Sequence, residues 1–180
     1  MSSPLLAGDQ PQSSEKVLRT EVKVATFRVG SDFYAIDILR IKEIIRPIKV
    51  TTVPNSPLAI EGVINLRGAV IPVIDLRKRF AVATIVDGRA TRIVICLVFR
   101  RLFALVVDEV VEVRSYGREE LQPAPKFFQG QETDIFLGVA HRADDLLMIL
   151  DLERFLSLSR MAEFIPPSSA AEDRPAISLL

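Results

Sequence analysis

One pattern of short apolar segments runs through this chain twice, and that repetition limits what it can fold into. With Tyr34 laid on Phe103, Tyr34-Ala35-Ile36 falls on Phe103-Ala104-Leu105. Ile38, Ile41, Glu43 and Ile44 then fall on Val107, Val110, Glu112 and Val113. With Gly62 laid on Gly138, Gly62-Val63 meets Gly138-Val139, and Ile74-Asp75-Leu76 meets Leu150-Asp151-Leu152. Both halves follow one order: strand, turn, strand, then Gly-Val, then a strand ending in Asp-Leu. Self-similarity of this kind marks a unit used more than once. Duplication predicts two similar small barrels side by side with a groove between them. The plainer alternative is two unrelated β halves with similar patterning.

The local signals are mostly those of strands. Val22, Val24 and Thr26 alternate with Lys23, Ala25 and Phe27, a period of two. Gly30-Ser31-Asp32 is a turn signal, and Phe33 to Ile36 resumes the strand. Lys49 to Val53 is rich in β-branched residues and closes at Pro54; Ala69 to Ile74 is apolar and mostly β-branched. Arg92–Phe99 and Phe103–Val107 form a strand pair around an Arg100-Arg101 turn. Two helical pieces are expected. Ser56-Pro57 supplies an N-cap and a first-turn proline for a turn over Leu58 to Val63. Asp151 to Met161 carries Leu152, Phe155, Leu156 and Leu158 at helical spacing. Many short strands suggest an all-β protein of barrels or sandwiches. Residues 1–17 and 166–180 lack periodicity and read as flexible tails around an ordered body over 18–165. Its two subdomains are expected at roughly 20–84 and 85–160, with strands possibly exchanged.

Composition removes several classes of function. Lys+Arg and Asp+Glu both number 23, so there is no electrostatic footprint for nucleic acid or an anionic membrane. The single Cys96 lies in an apolar run and excludes an internal disulfide or a CxxC metal site. The sole histidine, His141, sits among Arg142, Asp144 and Asp145, where a solvated loop is the expected reading. Asp144-Asp145 has no second acidic cluster close in sequence to complete a hard-metal site. No GxxxxGK[ST] or GxGxxG run is present to cradle a nucleotide. No signal peptide or membrane-length apolar stretch is visible, so a cytoplasmic protein without membrane insertion, cofactor or metal is expected. Phe127-Phe128, after Pro123-Ala124-Pro125, reads as core or as a partner-facing patch.

The two halves differ at one place. Asn65 and Arg67 fall on His141 and Ala143, so Arg67 is not required by the shared strand pattern. Gly68 beside it permits a tight turn that would hold the Arg side chain in a fixed place.

The ordered set of motifs resembles the CheW family. It comprises Tyr34-Ala35-Ile36-Asp37-Ile38, Glu43-Ile44, Asn55-Ser56-Pro57, Gly62-Val63-Ile64-Asn65-Leu66-Arg67-Gly68 and Ile71-Pro72-Val73-Ile74-Asp75-Leu76-Arg77. Val106-Val107-Asp108, Pro123-Ala124-Pro125 and Leu147 to Leu152 continue it in the second half. The likeness covers roughly residues 20–160. The departures are slight: Ala35 where glycine is frequent, and Ser56 where threonine is. The resemblance implies two intertwined five-stranded SH3-like barrels with short helical pieces. It implies a chemotaxis adaptor without catalytic activity. Such an adaptor couples methyl-accepting receptor tips to the regulatory domain of a CheA-type histidine kinase. Carried over residue by residue, the receptor-facing groove would hold Arg67 and Glu43, with Ile41, Ile44, Gly62, Val63 and Asn65 around them. An adaptor of a non-flagellar chemosensory pathway is the alternative within the family. A nucleic-acid-binding barrel would need a basic stripe with exposed aromatics, and an enzyme would need convergent acid, base or metal groups; the sequence offers neither.

Overall fold

The computed structural model describes residues 21–83, 88–124 and 134–158. The strands run in chain order as β1 (Glu21–Val29), β2 (Asp32–Asp37), β3 (Ile41–Ile45), β4 (Ile60–Leu66) and β5 (Ala69–Asp75). The short helix α1 (Leu76–Arg79) follows. Then come β6 (Arg92–Val98), β7 (Arg101–Val107), β8 (Glu109–Gly117), β9 (Phe136–Arg142), β10 (Asp145–Leu150) and α2 (Leu152–Leu158). Five strands and a helix thus occur twice in one order, as the repeat predicts. The two tails, Phe127-Phe128 and the helix end toward Met161 lie outside the described residues.

The ten strands form two five-stranded sheets, ordered β8-β1-β2-β10-β9 and β3-β6-β7-β5-β4. Each sheet takes its first hairpin from one repeat and its other three strands from the other. The point near residue 84 therefore separates the repeats, while the chain passes between sheets after β2 and again after β7. In both sheets the second hairpin is joined to the first through a parallel pair, β2 with β10 and β7 with β5.

Exchange accounts for the apolar runs that strict alternation would not give. Strands buried on both faces lose their polar face. In β7, Phe103, Leu105 and Val107 pack into the core between the two sheets, while Ala104 and Val106 point into a second core. Strand β6 divides likewise, with Val94, Cys96 and Val98 on one side and Ile93 and Ile95 on the other. In the other sheet, Tyr34 and Ile36 meet the central core and Ala35 a third one with Val24, Tyr116, Leu147 and Ile149. Among the described residues, one core thus lies inside each sheet and a larger one between them.

Four sequence expectations are corrected here. Of the helical turn expected over Leu58 to Val63, Leu58 and Ala59 form a turn, and Ile60 to Val63 begin strand β4 instead. Ile60 and Ile64 are buried, and Val63 exchanges backbone hydrogen bonds of 2.8 Å with Thr51. The gain from burying that apolar face outweighs a weak N-cap signal, and Ser56 Oγ donates to the Ile60 carbonyl instead. His141 lies in β9 opposite Leu146 rather than in a loop, though it is exposed. The turn at Arg100-Arg101 sits one residue earlier, at Phe99-Arg100, with Val98 opposite Arg101. Of the Lys49–Val53 strand, only a bridge from Thr51 to Val63 forms. Helix α1 is not foreseen, although Asp75 caps it by accepting a bond from Arg77 N at 2.8 Å.

Candidate functional site

Asn65, Leu66, Arg67 and Gly68 build the β4–β5 hairpin. Leu66 pairs with Ala69, leaving a two-residue loop of Arg67 and Gly68 with φ of 52° and 87°. Positive φ at both loop residues is the twist that suits a tight hairpin, and Gly68 accepts it without a Cβ penalty. The Asn65 side chain accepts a hydrogen bond from Gly68 N at 3.0 Å and fastens the turn. The Arg67 side chain leaves the sheet from this fixed base.

Its guanidinium meets Glu43 of β3 through two bonds, Nη1 to Oε1 at 2.9 Å and Nη2 to Oε2 at 3.1 Å. Strands β3 and β4 are the two edges of their sheet. The pair therefore joins the edges that a flat sheet would leave apart. Arg67 remains 77% exposed and Glu43 28%. At that exposure the pair contributes about 0–1 kcal/mol to stability. The bidentate geometry does fix the plane and direction of a charged fork at the surface.

The sequence places Arg67 outside the repeat, and the structure refines that reading. The other sheet closes its own edges, β8 and β9, with Arg142 Nε 2.7 Å from Glu112 Oε1. Glu112 is the repeat counterpart of Glu43, while Arg142 corresponds to Leu66, one residue before Ala143. Arg142 lies over the Phe33 ring at 4.7 Å and is 26% exposed. Both barrels thus have an edge-closing pair. One arginine is stacked against the protein, and the other faces solvent.

The remaining predicted site residues lie on the same two edges. Ile41 is half-buried and packs against the central core, whereas Ile44 is 41% exposed. Val63 and Asn65 share the face of β4 opposite buried Ile64. Gly62 is required by the backbone itself, because its φ is 146° and a Cβ there would lie 2.1 Å from the Thr51 carbonyl oxygen. Gly138 repeats this close approach, its Cβ position 2.6 Å from the Gln122 carbonyl oxygen. The Gly-Val signature of both halves is thus a crossing point of backbone. Val70, opposite Asn65 and 56% exposed, extends the apolar surface beside the hairpin. Sequence reasoning passes over it because its run reads as uniformly buried strand.

A cavity of about 360 Å³ lies elsewhere, lined by Tyr34, Phe80, Phe136 and Met148 with Asp32 and Asp145. Tyr34 stacks on Phe80 at 4.7 Å, and these rings belong to the packing of the central core. Among the described residues, no group of three or more His, Cys, Asp or Glu is placed to hold a metal ion. No described helix is long and apolar enough to cross a membrane. Burial pushes the Cys96 thiol well above its ordinary range, consistent with an inert core residue.

Comparison with known proteins agrees with this architecture. The family model described as "CheW-like domain" matches residues 23–160. The chemotaxis protein CheW of Klebsiella aerogenes is 36% identical over 136 residues, 76% of this chain and 82% of that protein. That of Bacillus subtilis is 34% identical over 151 residues, 83% of this chain and 96% of that protein. Among solved structures, the scaffolding protein TtCheW from Thermoanaerobacter tengcongensis superposes with a TM-score of 0.69 at 30% identity. The match covers 78% of this chain and 91% of that one. The chain belongs to the CheW-like domain family.

Proposed function

We propose that this chain is a non-catalytic chemotaxis adaptor, coupling the cytoplasmic tips of methyl-accepting receptors to a CheA-type histidine kinase. The observation that carries the reading is the contrast between the two edge-closing arginines. A structural ion pair needs no exposed guanidinium, as Arg142 over Phe33 demonstrates. Arg67 closes the same kind of seam yet presents its fork to solvent. Apolar Ile44 and Val70 lie on the strands beside it. An amphipathic helix from a receptor hairpin would set apolar side chains on Ile44, Val63 and Val70, and polar groups on Arg67, Glu43 and Asn65. Ile41 and Gly62 support that surface from beneath. The kinase regulatory domain would take a different face, so that both partners are held at once.

Purified chain, a receptor-tip fragment and the kinase regulatory domain, mixed pairwise and together, test the reading. A ternary complex that includes both partners is the expected result. Failure to bind either at high micromolar concentration would refute it.

A further inference from the structure

The chain passes from one sheet to the other twice, and an ion pair clasps each passage. The first crossing runs through the 3-10 turn Ile38–Arg40 between β2 and β3. There Arg40 Nη2 forms a short ion pair with Oε1 of Glu153 in α2. The second crossing is Asp108, between β7 and β8, whose Oδ1 lies 3.4 Å from Nη1 of Arg77 in α1. Asp108 also accepts a bond from Gly30 N at 2.7 Å, and Arg77 is held by Asp75 at 2.6 Å. With Asp75 laid on Asp151, Arg77 falls on Glu153; Arg40 and Asp108 correspond to within one residue. The clasp recurs with its polarity reversed.

That reversal has a consequence in the strand order. Because β2 lies parallel beside β10, the residue after β2 meets the helix after β10. Because β7 lies beside β5, the residue after β7 meets the helix after β5. Were each repeat to close on itself, β2 would lie beside β5. Arg40 would then meet α1, which carries Arg77, Lys78 and Arg79. Asp108 would meet Glu153. The apolar pattern discriminates poorly between these arrangements, since Tyr34-Ala35-Ile36 and Phe103-Ala104-Leu105 offer much the same surface. Charge discriminates: both crossings exchange attraction for repulsion.

We propose that the reversed clasps select the exchanged pairing of the two repeats over closure of each repeat on itself. The device works chiefly through repulsion in the wrong arrangement, which is how like charges enforce specificity. It concerns assembly of the fold and stands apart from the partners proposed above.

Leu39 and Ser157 are exposed, on the first crossing and on α2. Spin labels on cysteines at these positions, in a Cys96→Ala background, report the distance between crossing and helix before unfolding and after refolding from denaturant. The parent should return to its native distance. Arg40→Glu should lower the refolded fraction at that distance at least two-fold. Arg40→Gln, which removes attraction without adding repulsion, should lower it less. Arg40→Glu/Glu153→Arg should restore it, and 1 M salt should partly rescue the single variant, because screening there acts over about 3 Å. Equal losses in Arg40→Gln and Arg40→Glu would mean that Arg40 is merely structural, and would overturn the proposal. So would full refolding of Arg40→Glu, or a double variant no better than the single one.

Discussion

At the scale of residues, position in the fold decides what each charged or polar side chain is worth. Arg67→Ala removes an exposed pair, so its stability should stay within about 1 kcal/mol of the parent in denaturant titrations. Arg142→Ala takes away an ion pair together with the guanidinium packed on Phe33, and should cost more, on the order of 1–2 kcal/mol. Equal losses would contradict the distinction between the two seams. Cys96 gives a pH dependence whose sign is fixed. Its folded pKa is raised by burial, so the native state keeps the thiol proton after the unfolded chain has lost it. Stability from this group is complete below the ordinary thiol value of 9.0 and falls as pH rises above it. Cys96→Ala should flatten that alkaline decline in equilibrium unfolding between pH 8 and 10, at some cost in packing; an unchanged slope would contradict the assignment. The repeat shows Arg67 as an irregularity but not its partner, and Glu43 beside it is implied by the family resemblance alone. Glu43 and Arg67 are joined only because β3 and β4 are opposite edges brought together, a fact of closure that no local pattern encodes.

At the scale of elements, backbone constraints explain which short motifs recur. Gly62 and Gly138 sit where another segment crosses the strand, Thr51 over the first and Gln122 over the second. Gly62→Ala combines a left-handed φ with a contact of 2.1 Å to backbone, which cannot move aside like a side chain. It should destabilise by about 2–4 kcal/mol, read from the midpoint of thermal or urea unfolding. A loss below 1 kcal/mol would mean that the crossing relaxes freely. The repeat makes these glycines visible in the sequence but gives no reason for them. The alternating β1 segment and the paired β6 and β7 are legible because their apolar periods are strong. The start of β4 is misread as a helical turn because Ser56-Pro57 is a local signal, while burial of Ile60 and Ile64 is a tertiary one. Helix α1 escapes notice because four residues are too few to show a period.

At the scale of the whole molecule, three apolar cores and two crossings make one body of two repeats. The central core draws on both sheets, from Phe27 and Tyr34 to Phe103 and Leu105. Separating the barrels would expose it and also undo the hairpin exchange. A cooperative single unfolding transition is therefore expected by calorimetry and circular dichroism alike, whereas two resolved transitions would mean that the barrels are independent. The repeat makes two barrels legible from the sequence. The assignment of strands to sheets is less so, since duplicated apolar segments fit either partner and the reversed charges at Arg40 and Asp108 acquire meaning only when the crossings are seen. The two seams differ: in one the arginine is stacked on the Phe33 ring, and in the other it is open to solvent beside Ile44 and Val70. The most direct test of receptor coupling through Arg67 is the affinity of a receptor-tip fragment for the parent chain and for Arg67→Ala, with unfolding curves measured on the same samples. About a tenfold or greater loss of affinity with stability nearly unchanged is the expected result. Undiminished binding by a folded Arg67→Ala protein would contradict it.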